Sequence, residues 1–419
     1  MRVIVIGAGL LGVSTAYFLS RAGHQVTVVE RRETAGLETS FANSGMVTPS
    51  QADPWNSPGI LRKLLPWSGE KFAPILFKPA AMPSLLGWAG AFLHYSSPSR
   101  FRLNLQSNVA LAGYSLATFD RVRDEENIQY DQLSRGTLKL YRNEESFNNA
   151  VAVSETLRDL GVNFEVLDKD GLKGREPALS DIASELIGGM FYPDDESGDA
   201  HRFCQGLMQA AAVRGVEFLF GARVTDIRHA GGRISAVVTP GRVLTAEAYV
   251  LAAGSYSVPL CRKLGLELPV RPVKGYSITT DRGGWSTGPH MPVIDDSLHV
   301  AVTPLGQRLR IAGMAEFAGY DTRVPLVRIQ RLLGILEAIY PGFSPYRNAA
   351  VEKYWAGLRP YCCDGVPVIG PAGFRNLYLN TGHGHLGWTL SVGSGRLLAD
   401  IMSGADTDID PHPYRFDRF

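Results

Sequence analysis

The 419-residue sequence holds four cysteines, almost no net charge and no long apolar run, and each shortage removes a class of protein. So few cysteines cannot build the disulfide framework of a small secreted domain, and they suit a reducing compartment. Cys204 and Cys261 stand alone, Cys362 and Cys363 are adjacent, and none has metal-ligand spacing, so no metal is expected. No apolar stretch reaches the ~18 residues of a membrane span. The apolar start carries no small-residue cleavage site after it, which argues against a signal peptide and makes the cytoplasm the expected location. With 42 Lys and Arg against 41 Asp and Glu, the net charge of +1 gives no reason for a nucleic-acid partner. Internal repeats and low-complexity tracts are absent. What remains is the composition of an ordinary globular protein, long enough for two or three domains.

The first thirty residues carry the strongest signal. Val3-Ile4-Val5-Ile6 reads as a buried strand, and Gly7-Ala8-Gly9-Leu10-Leu11-Gly12 follows at once. A helix marked by Ala16 and Leu19 ends at Gly23, and a second strand with Val26 and Val28 ends at Glu30. This is the dinucleotide-binding unit: Gly7 allows the turn, Gly9 lets a pyrophosphate approach the backbone, and Gly12 permits close helix–strand packing. The helix N-terminus offers N–H groups and a partial positive charge to phosphates. Glu30 can accept hydrogen bonds from a ribose diol. Spacing alone does not separate NAD from FAD.

Further on, Thr39 to Met46 form a polar, glycine-containing turn. Residues 55–102 are rich in Trp, Phe, Leu and Pro and hold six basic residues (Arg62, Lys63, Lys71, Lys78, Arg100, Arg102) against one acid, Glu70. A helical pattern follows over 103–125, then strands over 136–141 and 188–192. Asp199 caps a helix running to about 213. Strand-like runs cover 217–220, 224–228 and 234–239, and 248–254 reads as a buried strand ending at a closely approached backbone. Residues 270–280 and 299–314 alternate like antiparallel strands, a helix is predicted over 324–339, and short strands over 367–369 and 377–379. A final helix spans about 389–402, with Gly404 as its C-cap. Parallel-type and antiparallel-type segments are interleaved, which predicts intertwined domains. The dinucleotide domain takes 1–54, 186–264 and 352–419, and a substrate domain takes 55–185 and 265–351.

Several stretches carry a family resemblance. Gly357-Leu358-Arg359-Pro360 with Asp364-Gly365-Val366-Pro367-Val368-Ile369-Gly370, and the loop Thr381-Gly382-His383-Gly384-His385-Leu386-Gly387-Trp388-Thr389, resemble the C-terminal signatures of the D-amino-acid oxidase-like flavoenzymes. Within that superfamily, Ser40-Phe41-Ala42-Asn43-Ser44-Gly45, Pro272-Val273-Lys274-Gly275-Tyr276-Ser277 and Arg310-Ile311-Ala312-Gly313-Met314-Ala315-Glu316 look like the bacterial FAD-dependent D-amino acid dehydrogenases of small-subunit type. The sequence departs from that pattern at Tyr361-Cys362-Cys363 and at His385, where a Thr is common. The resemblance implies an α/β fold: a Rossmann FAD domain of the two-dinucleotide type, intertwined with an α+β substrate domain built on an antiparallel sheet. It places FAD against Gly7, Gly9, Leu10, Leu11, Gly12, Glu30 and Arg31, and against Thr39, Ser40, Asn43, Ser44, Gly45 and Met46. It adds Val224, Ala253 and Gly254, and the loop positions Gly382, His383, Gly384, Leu386, Gly387, Trp388 and Thr389.

The chemistry so implied is oxidation of a D-amino acid, or of a cyclic D-imino acid such as D-proline or hydroxyproline, by loss of the Cα hydrogen as hydride. Arg359 suits the bidentate grip on a planar carboxylate that this requires, and the resemblance assigns it that role. Tyr276 is a candidate to orient the carboxylate through its phenol, and His383 is the candidate histidine of the flavin loop. A general base is not evident; water or a neighbouring group suffices to take the ammonium proton. The final helix would aim its positive end at charge developing on the flavin. The 55–102 segment has two readings, a lid over the substrate or a peripheral contact with an anionic membrane surface on the cytoplasmic side. The second comes from the basic and aromatic composition, and the resemblance adds to it, since such dehydrogenases pass electrons to a quinone. The alternatives are a glycine- or sarcosine-type oxidase that makes peroxide, and a nucleotide-binding subunit without turnover.

Overall fold

A computed structural model describes residues 1–60, 62, 75–282, 284–346 and 351–419. Lys63, Glu70 and Lys71, counted above in the basic aromatic segment, lie outside the described residues.

The opening strand–turn–helix–strand folds as its pattern requires. Arg2–Ile6 and Gln25–Val29 run parallel with Val3 beside Val26 and Val5 beside Val28, and the helix Leu10–Arg21 crosses between them. They sit at the centre of a six-stranded sheet ordered Val368–Ala372, Phe374–Thr381, Ala248–Leu251, Arg2–Ile6, Gln25–Val29, Glu217–Leu219. Its strands are parallel except for the terminal Val368–Ala372 hairpin partner. Strands buried on both faces read as continuous apolar runs, which is why Ala248–Leu251 shows no alternation. The final helix, Ser391–Ser403, packs on Leu10–Arg21 so closely that a β-carbon on Gly395 would stand 2.6 Å from the Ser14 backbone.

The second sheet has nine strands. Eight follow the order Val351–Cys362, Val270–Asp281, Arg308–Phe317, Val300–Leu305, Val293–Asp295, Thr137–Tyr141, Gly188–Tyr192, Glu165–Leu167. Ile75–Phe77 adds in parallel to the end of Arg308–Phe317. Its pairs are otherwise antiparallel apart from Val293–Asp295 beside Thr137–Tyr141. The two predicted layers, a Rossmann sheet and an antiparallel sheet, are therefore both present.

Four expectations are corrected. The strand Gly188–Tyr192, assigned to the dinucleotide part, belongs to the second sheet, where Thr137 pairs with Tyr192. The long helix, Pro98–Glu126, assigned to the substrate part, buries Leu105, Val109, Phe119 and Val122 in the core that holds Val13 and Leu397. Apolar periodicity shows that a helix has a buried face, not which core receives it. The strand expected over 224–228 lies at Asp226–Ala230, and the run read over 299–314 is two strands joined at Gly306.

Candidate active site

Between the two sheets lies a cavity of about 850 Å³, toward the upper end of ligand pockets, which span ~300–1,000 Å³. One end is built by the first βαβ unit. Gly7 holds a left-handed φ of 107°, and a β-carbon there would stand 2.7 Å from the Ala252 carbonyl. Gly12 serves packing alone, since a β-carbon on it would fall 1.8 Å from the Gly7 oxygen. Glu30 is buried, and its carboxylate accepts from the Ala8 N–H at 2.8 Å and the Arg32 N–H at 2.9 Å. It thereby ties the glycine turn to the end of the second strand while still facing the cavity. Arg31 pairs with Glu38 and lies 3.8 Å over the Tyr256 ring.

The turn after residue 38 links the two sheets. Ser40 Oγ accepts from the Leu10 N–H at 3.1 Å, Thr39 Oγ1 donates to the Leu358 carbonyl at 2.9 Å, and Asn43 Oδ1 accepts from the Gly45 N–H. From the other side, Ser277 and Thr303 donate to the Ala42 and Ser44 carbonyls. Side chains of Thr39, Ser40, Asn43, Ser277 and Thr303 thus fix a backbone that the glycine pattern alone leaves loose.

The expected cofactor contacts Gly7, Gly9, Leu10, Leu11, Glu30, Arg31, Thr39, Ser40, Asn43, Ser44, Met46, Val224, Ala253, Gly254, His383, Gly384, Gly387 and Trp388 all line this cavity. Gly12, Gly45, Gly382, Leu386 and Thr389 do not. Gly45 and Gly382 hold left-handed turns, with φ of 75° and 84°, and Thr389 accepts from the Thr48 N–H at 3.0 Å. The predicted helix start at 389 is displaced to Ser391, and Gly393, in its first turn, donates to Ser115 Oγ at 3.1 Å. The preceding loop, rather than the helix itself, faces the cavity.

The three expected catalytic residues differ in their surroundings. Arg359 projects from Val351–Cys362 over Gly275 of the neighbouring strand. Its Nη1 donates to the Met314 carbonyl at 3.0 Å, and no carboxylate pairs with it among the described residues. Burial alone lowers its pKa to about 10. Met314 itself sits at φ 63° in a bulge, where Met314 and Ala315 stand opposite the single residue Gly275. Bulges next to sites commonly re-aim a group, and this one turns a carbonyl toward the guanidinium.

Tyr276 lines the cavity, but its phenol donates to Glu316 Oε2 at 2.6 Å. Burial and that carboxylate push the Tyr276 pKa up. Glu316 is the hub of a buried network that also draws in Lys274 at 3.9 Å, Arg328 at 3.9 Å and, from the 55–102 segment, Lys78 at 3.5 Å. His383 Nε2 bonds Ser394 Oγ at 2.9 Å, and burial lowers its pKa to about 3. It is a neutral ring throughout the physiological range. Of the three, Arg359 alone presents a charge that the protein does not neutralise.

Of the remaining wall, sequence reading offered the 55–102 segment as a lid but singled out none of its residues. Trp55, Ile75, Trp88 and Phe92 come from the 55–102 segment, so this segment covers the cavity as a lid would. Asp53, Lys139, Asp296 and His299 form a polar flank. No local motif marks these positions; they meet because distant strands pair.

A family model described as FAD dependent oxidoreductase (DAO) matches residues 2–401. The chain is 44% identical over 410 residues to a D-amino acid dehydrogenase of Methylobacterium nodulans, covering 98% of this chain and 97% of that one. It is 42% identical over 419 residues to a D-amino acid dehydrogenase of Agrobacterium fabrum, covering 100% of both. Among solved structures, glycine oxidase from Geobacillus kaustophilus superposes with a TM-score of 0.78 at 24% identity, covering 100% of this chain and 99% of that one. L-proline dehydrogenase from P. horikoshii gives 0.78 at 18% identity, covering 99% and 96%. These two share the fold.

Proposed function

The chain belongs to the DAO family of FAD-dependent oxidoreductases, and from that premise we propose that it oxidises D-amino acids, cyclic D-imino acids included, and passes the electrons to a quinone or another acceptor that is not oxygen. The observation that carries the reading is Arg359: a guanidinium at the cavity wall, fixed by Met314 and Gly275, with no carboxylate of the protein on it among the described residues. An uncompensated, partly desolvated arginine is a strong acceptor for a planar carboxylate.

The dinucleotide end fits FAD, because Gly7 and Gly9 present bare backbone to the cavity and Glu30 faces it from the end of the second strand. FAD, when bound, supplies the two-electron acceptor for the Cα hydrogen. The protein's part is positional. Arg359 holds the carboxylate, which leaves Cα few orientations and favours one enantiomer. The aromatic lid residues Trp55, Trp88 and Phe92 exclude water from the reacting carbon. Neither Tyr276, engaged with Glu316, nor neutral His383 is placed as a strong base, so the substrate amine loses its proton to water before oxidation.

Peripheral membrane contact is part of the same proposal. The helix Met82–His94 turns Leu85 and Trp88 inward and leaves Met82, Leu86 and Leu93 exposed, with Leu86 at 70%. Lys78, Arg100 and Arg102 flank that helix in the sequence and are exposed, a pattern suited to an anionic interface and to a lipid-soluble acceptor. No helix among the described residues is long and apolar enough to cross a membrane. Turnover with a dye or soluble quinone that outruns peroxide formation in air is the expected result. Stoichiometric peroxide at equal rate would favour an oxidase instead.

A further inference from the structure

We infer that the cavity carries a second recognition point, Asp53, for the cationic end of a basic side chain, so that the lysine- and arginine-like members of the D series are preferred to uncharged ones of similar length. This rests on the reading above, in which Arg359 holds the α-carboxylate.

Asp53 lines the cavity, and among the described residues it makes no hydrogen bond or ion pair. The other charges of that flank are already matched. Lys139 Nζ stands 3.1 Å from Asp296, and Asp295 stands 2.9 Å from Arg142. Among the described residues Asp53 has no ion-pair partner of its own, since Lys139, the cation that feels it, is already held by Asp296.

The two charges are linked along the chain through one aromatic shelf of the cavity wall. Trp55 stacks on Tyr361 at 4.8 Å and on His385 at 5.3 Å, and Tyr361 Oη accepts from the Trp55 N–H at 2.6 Å. Tyr361 follows Arg359 by two residues on the same strand, and Asp53 precedes Trp55 by two. Burial above all lowers the His385 pKa; Arg359 adds to that and Asp53 opposes it, whereas Arg359 responds to burial alone. His385, stacked on Trp55, is reached by both charges. An α-carboxylate and its own ammonium are too close together to bridge such a pair. A chain of methylenes along the shelf, ending in an ammonium or guanidinium, fits it, and a guanidinium gains further from stacking on Trp55. The titratable groups that sense Asp53 are Lys139, Tyr192, Tyr361 and His385, and of these only Lys139 is a fixed cation, already held by Asp296.

The test uses the FAD-loaded enzyme, wild type, Asp53→Asn and Asp53→Glu, with anaerobic flavin reduction by D-lysine, D-arginine and D-methionine. The wild type is expected to prefer the basic pair. Asp53→Asn should lower kcat/KM for them by about tenfold or more relative to D-methionine, as for one charge pair lost, and Asp53→Glu should restore most of the preference. A binding readout avoids turnover: 5-aminovalerate should perturb the flavin spectrum more tightly than valerate, and lose that advantage in Asp53→Asn. Reduction by D-methionine without preference for basic substrates, or an unchanged ratio in Asp53→Asn, overturns the subsite and leaves the D-amino acid reading intact. Failure of every D-amino acid to reduce the wild-type flavin overturns both.

Discussion

The guanidinium of Arg359 lies face-on against Gly275: a β-carbon built on Gly275 would stand 2.4 Å from Nη1 and 2.5 Å from both Cζ and Nη2. Gly275 has ordinary extended backbone, so its lack of a side chain answers to this contact rather than to a turn. The arginine that the site depends on can occupy its place only because the neighbouring strand is bare there.

Gly275→Ala should therefore push Arg359 off its seat without disturbing the dinucleotide end. Misplacing one carboxylate–guanidinium pair costs on the order of 2–5 kcal/mol, so flavin reduction by amino acids should slow by about 100-fold while the bound-flavin spectrum stays normal. Stopped-flow reduction of the variant checks this. A wild-type rate would show that the guanidinium has another way to reach the carboxylate.

Glu30→Ala removes the acceptor of the Ala8 and Arg32 N–H groups as well as a carboxylate that faces the cavity, where the proposal puts the adenosine ribose. Hydrogen bonds to a charged group contribute about 1.5–3 kcal/mol, so FAD should dissociate at least tenfold more readily. Fluorescence of released flavin on dilution measures it. Glu30→Gln should fall between, since an amide oxygen still accepts one of the two.

His383 sets a pH dependence of stability. Its folded pKa is depressed to about 3 by burial, against an ordinary value near 6.5, so the unfolded chain takes up a proton first on acidification. The folded state suffers no penalty from this group above pH ~6.5 and loses stability progressively as pH falls from there toward 3, by a few kcal/mol in all. His383→Asn should flatten the fall in urea midpoint between pH 6.5 and 4.5 relative to wild type. Parallel curves for the two proteins would mean that the ring is protonated in the folded state.

The dinucleotide end was legible because its determinants are local: Gly7, Gly12 and Glu30 act within one βαβ unit, and spacing reports them. Arg359 could be singled out by residue type and by resemblance. Its setting could not, because Met314 reaches it through a bulge and Gly275 through strand pairing, and neither leaves a mark in the sequence. The partners of Tyr276 and His383 were hidden for the same reason. These partners, Glu316 and Ser394, lie 40 and 11 residues away, and a phenol or an imidazole looks available until its partner is seen. Asp53 and Lys139 went unremarked because nothing around them in the chain repeats a motif.

The central claim is that Arg359 fixes the carboxylate of a D-amino acid, and anaerobic flavin reduction by paired enantiomers tests it most directly. Wild type and Arg359→Ala are mixed with D- and L-methionine and with D- and L-proline, and bleaching is followed in the absence of any other acceptor. The account predicts rapid reduction by the D member of each pair in the wild type, slow or no reduction by the L member, and a loss of about 100-fold or more in Arg359→Ala with its flavin spectrum unchanged. Equal rates for the two enantiomers, or undiminished reduction in Arg359→Ala, would contradict it.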